Sequence, residues 1–146
     1  MTVDIEDIQT GIMSAISSAW SATAVNWPGV EFSSHGLTEW IQPIVSPING
    51  SPCRRGEQHQ RGMLLVHVFF VAVAATNAYR IHELADLLGA IFNQTDVVTP
   101  AGRDIRFEEG DFGYLRAPGP HNPIDAPFEG LVSGTGRYPF FLIEKT

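Results

Sequence analysis

From Arg61 to Val73 the chain runs RGMLLVHVFFVAV, crowded with Val, Leu, Met and Phe and free of acidic residues. β-Branched and aromatic side chains at this density suit a pleated, well-buried strand. Side chains alternate across a strand, so Arg61, Met63, Leu65, His67 and Phe69 share one face. Leu64, Val66, Val68 and Phe70 share the other, which is wholly apolar and predicted to be core. The mixed face is predicted to be partly covered or to meet another subunit. After this strand the period changes. Ile81, Leu84, Ala85, Leu88, Ile91 and Phe92 recur at three- and four-residue steps, the stripe of an amphipathic helix. Thr76 or Asn77 offers an N-cap oxygen. A helix from Ala78 to Asn93 would be about 24 Å long. A strand of about seven residues has a similar length, so the helix is predicted to lie along the sheet it follows.

The same helical stripe appears earlier, from Asp4 to Trp20, through Ile5, Ile8, Ile12 and Ile16. Asp4, Glu6 and Asp7 sit at the positive end of that helix dipole. From Thr23 to Gly36 the pattern is short and broken, with Pro28-Gly29 as turn chemistry. Leu37 to Val45 reads as a strand, and Pro43 confines it to an edge or a bulge. Asp96–Thr99 and Arg103–Phe107 flank Pro100-Ala101-Gly102, which predicts a hairpin with a glycine turn. Arg137–Glu144 reads as a terminal strand. Two stretches lack periodicity. Ser46–Gln60 is polar and turn-rich and joins two strands as a long arm, while Glu108–Gly136 is irregular and rich in Gly and Pro. The expected fold is α+β: two helices packed on a mainly antiparallel sheet of about four to five strands, with long projecting loops at about 46–60 and 108–136.

With 146 residues the chain is expected to form a single domain, residues 1–146, that buries roughly two-thirds of its unfolded surface. The net charge of −7 argues against a nucleic-acid-binding module, which shows a basic face. One cysteine, Cys53, excludes an intrachain disulfide and a cysteine metal cluster. The acidic start MTVDIEDIQ lacks the basic region of a signal peptide, and no apolar run reaches the roughly twenty residues of a membrane helix. A cytoplasmic protein at synthesis is expected, with no membrane partner.

Candidate chemistry changes this picture little. Asp111-Phe112-Gly113 spells the kinase magnesium tripeptide without any of the motifs that give it meaning. His82-Glu83 opens like a zinc-protease helix, but Asp86 stands where the second histidine belongs. His35, His59, His67, His82 and His121 fall in five different elements with no ligand spacing, and His67 is expected to be a satisfied, half-buried histidine. Ser133-Gly134-Thr135-Gly136 supplies no nucleophile elbow. Cys53 stands beside two arginines in a loop without a nearby base apart from His59. No catalytic, cofactor or metal site is predicted, and the protein is not expected to be an enzyme. What stands out is charge. Arg54 and Arg55 lie on one arm of an otherwise acidic molecule, a distribution that suits head-to-tail self-assembly as well as it suits a solvated loop.

The order of these elements resembles the tail terminator (tail completion, or minor tail protein) family of long-tailed phages and gene transfer agents. Arg61-Gly62 followed by the strand Met63–Val71 is similar to that family's passage from polar arm to apolar strand. The helix Tyr79–Phe92, with HELADLLGAIF, resembles the helix that follows in it, and Gly136-Arg137-Tyr138-Pro139-Phe140-Phe141 resembles its last strand. The segment Ala117–Phe128 is longer than the short loop expected there. The resemblance implies a structural virion protein that forms a ring, usually hexameric, at the tail–neck junction. Such a ring caps the tail tube, ends its polymerisation and offers a surface for head–tail joining. Its implied partners are further copies of itself, the tail tube protein and a head completion or connector protein, with DNA passing through an acidic lumen. No cofactor is implied. Arg54, Arg55, Glu57 and Arg61 are the candidate inter-subunit residues, chosen by charge and position. Two alternatives remain open: a head-side completion or connector-adaptor neck protein, and a small-molecule-binding α+β domain using Glu108–Gly136 as a lid.

Overall fold

The apolar strand sits in the middle of a curled, mixed sheet in a computed structural model that describes residues 5–33, 36–52, 58–71, 80–116 and 131–143. In chain order the elements are α1 (Ile5–Ala19), β1 (Ala24–Val25), β2 (Glu39–Pro52), β3 (Gln58–Val71), α2 (Arg80–Phe92), β4 (Asp96–Val98), β5 (Asp104–Phe107), β6 (Asp111–Arg116) and β7 (Leu131–Ile143). The strands lie in the order β1-β2-β3-β7-β5-β4, and β6 also pairs with β7. β1 runs parallel to β2, and every other pairing is antiparallel.

Seven strands correct the expectation of four to five. The two additions are β1 and β6. β1 has two residues, too few to show a period of two, and it is held by its register Ala24↔Trp40 and Val25↔Ile41. β6 lies within the stretch whose glycines and prolines marked it as irregular, and it is organised by its partner, with Asp111↔Arg137 and Gly113↔Thr135 in register. The arms shrink for the same reason. β2 and β3 continue as a ribbon through Ser51↔His59 and Pro52↔Gln58, so polar residues 46–52 and 58–60 are strand rather than loop. β7 begins at Leu131, six residues before the expected Arg137, because β3 templates it from Val71↔Leu131 onward.

Prolines mark where partners are missing. β1 pairs only as far as Ile41, so Pro43 and Pro47 on β2 fall where that strand is an outer edge and no ladder donor is needed. Pro139 on β7 stands where the partner changes from β6, ending at Arg137, to β5, beginning at Phe140. Its carbonyl accepts the Glu108 N–H at 2.9 Å.

Both helices cover one face of the sheet. Ile8, Ile12 and Ile16 of α1 and Leu84, Leu88 and Phe92 of α2 pack with Leu64, Val66, Val68 and Phe70 of β3, Ile105 and Phe107 of β5, and Tyr138, Phe140 and Leu142 of β7. All of these are nearly or fully buried, as the alternation along β3 predicts. Phe92 links the layers, with its ring 5.0 Å from Phe107 and 5.5 Å from Tyr138. Gly62 shares this face because nothing larger fits: a Cβ there would stand 2.3 Å from Phe140 Cζ. The hairpin between β4 and β5 turns as expected through Gly102, at φ +84°.

Candidate functional site: the open face of the sheet

Among the described residues, the opposite face carries no helix. The register across β2, β3 and β7 sets Trp40 beside Phe69, Ile44 beside Leu65, His67 beside Thr135, and Leu65 beside Arg137. The Trp40 and Phe69 rings stack, with centroids 5.3 Å apart and planes 18° apart, and Phe32 tilts against Trp40 at 6.4 Å. Leu65, Met63 and Phe69 are half-buried, and Ile44 is 37% exposed. Large apolar side chains therefore remain within reach of solvent on a pleated surface, the composition of a binding surface rather than of a plain solvent face.

His67 stands in the middle of this face. Its Nδ1 lies 2.8 Å from Thr135 Oγ1, and its ring tilts against Phe69 at 6.4 Å. The hydrogen bond satisfies a half-buried imidazole, as the sequence reading expects. No group of three or more His, Cys, Asp or Glu is placed to hold a metal among the described residues. His82 and Glu83 are both exposed on α2, and Glu83 is engaged by Arg80 at 2.8 Å.

Charges border the face. Arg137 forks onto Asp111 at 2.7 and 2.8 Å, and Arg106 reaches Asp96 at 3.1 Å. Each guanidinium's pKa is raised by the hydrogen bond to its carboxylate, so both stay charged in any buffer. Both pairs are exposed and weak. Arg61, Glu108 and Glu109 are exposed and make no ion pair among the described residues. Glu109 and Asp111 line a cleft of about 410 Å³ with Met63, Gly110, Arg137 and Pro139. A larger groove of about 520 Å³ lies against the outer side of α1, beside Trp27 and Pro28. Its polar lining is serine, threonine, glutamine and one glutamate, with no convergent acid and base.

Of the four residues chosen from sequence, Arg61 is placed on β3 between Ile48 and Phe141, at the base of the β2–β3 ribbon and on the open face. Arg54, Arg55 and Glu57 lie outside the described residues. The sequence reading placed Met63, Leu65, His67 and Phe69 on this face but missed Trp40, Ile44 and Phe32. Trp40 had a usable signal: on β2 it alternates with Gln42 and Ile44, against buried Ile41 and Pro43.

No protein-family model matches the chain, and no curated protein matches it. Among solved structures, one superposes with a TM-score of 0.72 over 99% of this chain and 99% of the other, at 14% sequence identity. Identity that low shows a shared fold and nothing about function.

Proposed function

We propose that the protein is a structural subunit of the tail terminator kind, which assembles with copies of itself into a ring, caps a phage-type tail tube and offers a surface for head–tail joining. The observation that carries this reading is the sheet with one face sealed by two helices and the other left open, bearing the Phe32–Trp40–Phe69 cluster. A surface of that kind works by covering and being covered. The β2–β3 ribbon supports the same reading. Residues 58–60 extend past the last β3–β7 pair, Arg61↔Phe141, as two strands without a third among the described residues. Two isolated strands are marginal in water and gain from a neighbour. The net charge of −7 would keep passing DNA from adhering to a lumen lined by such subunits. By this reading the protein acts at the tail–neck junction of a virion, having assembled in the host cytoplasm.

Deleting the gene from its parental genome and imaging the lysate by electron microscopy tests the proposal. Filled heads beside unattached tails of excessive, uncontrolled length are the expected result. Normal-length free tails beside heads that leak DNA would move the protein to the head side of the neck. Intact particles would end the neck reading.

A further inference from the structure

We infer that the open face of the sheet is the seat of a second copy of this chain, with Arg61 of one copy facing Glu108 and Glu109 of the next. The inference rests on the self-assembling reading above and names the contact that reading leaves unspecified. Its first support is the apolar content of the face. Trp40 with Phe69 and Ile44 with Leu65 form two apolar cross-strand pairs on either side of Gln42 and His67, on the side that carries no helix among the described residues. Aromatic and aliphatic side chains at the middle of a patch, with charges at its border, is the arrangement of a protein–protein contact.

The second support selects the occupant. The border charges divide into two groups. Arg137 with Asp111 and Arg106 with Asp96 are compensated within the molecule. Arg61, Glu108 and Glu109 have no ion pair among the described residues, and they hold both signs. A chain that leaves one cation and two carboxylates uncompensated around the same apolar face carries the complement of its own border. A copy of itself supplies both missing partners, whereas an unrelated acidic or basic surface would satisfy one sign and oppose the other. Charge complementarity of this kind fixes register and orientation more than it adds raw affinity.

The test uses the full chain and two charge-reversed variants, Arg61→Glu and the double change Glu108→Lys with Glu109→Lys. Association is followed by sedimentation velocity from micromolar to near-millimolar protein, at low and high salt. The wild type is expected to self-associate. Each variant alone, with like charges now opposed, is expected to associate at least tenfold more weakly. Mixing the two restores opposite charges at the contact and is expected to recover wild-type association. A merely structural role for these residues would not produce rescue by mixing. Trp40→Ala, which leaves the border charges in place, is expected to weaken association in every combination. Circular dichroism checks that each variant keeps its fold. A wild type that stays monomeric throughout this range overturns the inference. So do oligomers that ignore all three changes, and in that case the ring reading survives with a different contact. The deletion phenotype judges that reading independently.

Discussion

The two faces of the sheet differ both in composition and in what lies over them, one wholly apolar and covered by helices, the other mixed and half-exposed. Leu64 and Leu65 are neighbours on β3, yet Leu64 is fully buried in the helix-covered core and Leu65 is half-buried between Ile44 and Arg137. The helix-covered face is completed within the chain. The open face keeps Trp40, Ile44, Leu65 and Phe69 only partly covered by the described residues. Large apolar side chains left within reach of solvent on one face of a sheet are the kind of surface that partners cover, and this is what the proposed subunit contact uses. The contrast is measurable. Leu64→Ala removes side-chain volume from a packed interior and is expected to cost about 2–5 kcal/mol. Leu65→Ala removes the same atoms from a half-exposed strip and is expected to cost about 1 kcal/mol or less. Urea titrations of the two variants compare them directly. Equal losses would mean that the open face is as tightly packed as the core and is not a free surface.

Tyr138 extends the contrast to pH. It projects from β7 into the covered face at 2% exposure, against Phe92. Burial, with a smaller contribution from the Asp111 carboxylate, pushes its phenol up to about 12. In the unfolded chain the same group titrates near 10. Below pH 10 both states hold the proton, and stability does not depend on this residue. Between about pH 10 and 12 the unfolded state releases the proton first, so stability falls as pH rises, by an order of 2 kcal/mol in total. Above pH 12 both states are ionised and the dependence ends. Denaturation midpoints of the wild type and Tyr138→Phe, followed from pH 9 to 12, are expected to show the wild type falling relative to the variant, which has no phenol to ionise. Parallel curves would mean that the phenol is solvated and that this part of the covered face is open to water.

Much of this division was legible in the sequence, because a strand of alternating environment writes its two faces into odd and even positions. Arg61 to Phe70 separate correctly by parity alone, and Ile8, Ile12 and Ile16 of α1 and Leu84, Leu88 and Phe92 of α2 fill the core, although Ile5, expected in the α1 stripe, is 51% exposed at the open first turn. What parity could not reveal was anything decided by a partner strand. β1 is too short for a pattern. β6 follows a run of Glu108, Glu109 and Gly110, where turn chemistry dominates the local signal, and only its register with β7 makes it a strand. The polar composition of 46–52 and 58–60 predicts a loop, whereas cross-strand pairing extends an established hairpin through them. The interface candidates show the same boundary. Arg61 could be placed from its parity with His67, but its selection over other arginines depends on which charges are already compensated. That is a property of long-range pairs such as Arg80–Glu39, which no local pattern encodes.

That pair joins the two regions and gives the smallest of the expected effects. Arg80 opens α2, where a cation meets the positive end of the helix dipole at an expected cost of about 0.3–1 kcal/mol. Glu39 of β2 offsets this, accepting hydrogen bonds from Arg80 Nε at 2.7 Å and Nη2 at 3.0 Å, and Glu83 one turn along accepts a third at 2.8 Å. These bonds, Glu39 first, raise the guanidinium pKa further above its ordinary value. The fork is half-buried, with side-chain exposures of 31% and 23%, so water screens it in part. A double-mutant cycle with Glu39→Gln and Arg80→Met is expected to return a coupling of about 1 kcal/mol that shrinks in high salt. Glu39→Gln alone is the informative arm. It leaves Arg80 facing the dipole with only Glu83, so it should destabilise more than the double change if the fork's role is to neutralise that cation. A coupling indistinguishable from zero would place the docking of α2 on Leu84, Leu88 and Phe92 alone. The seal over the covered face would then be apolar from edge to edge, and the ion pair at its rim would contribute nothing to holding it closed.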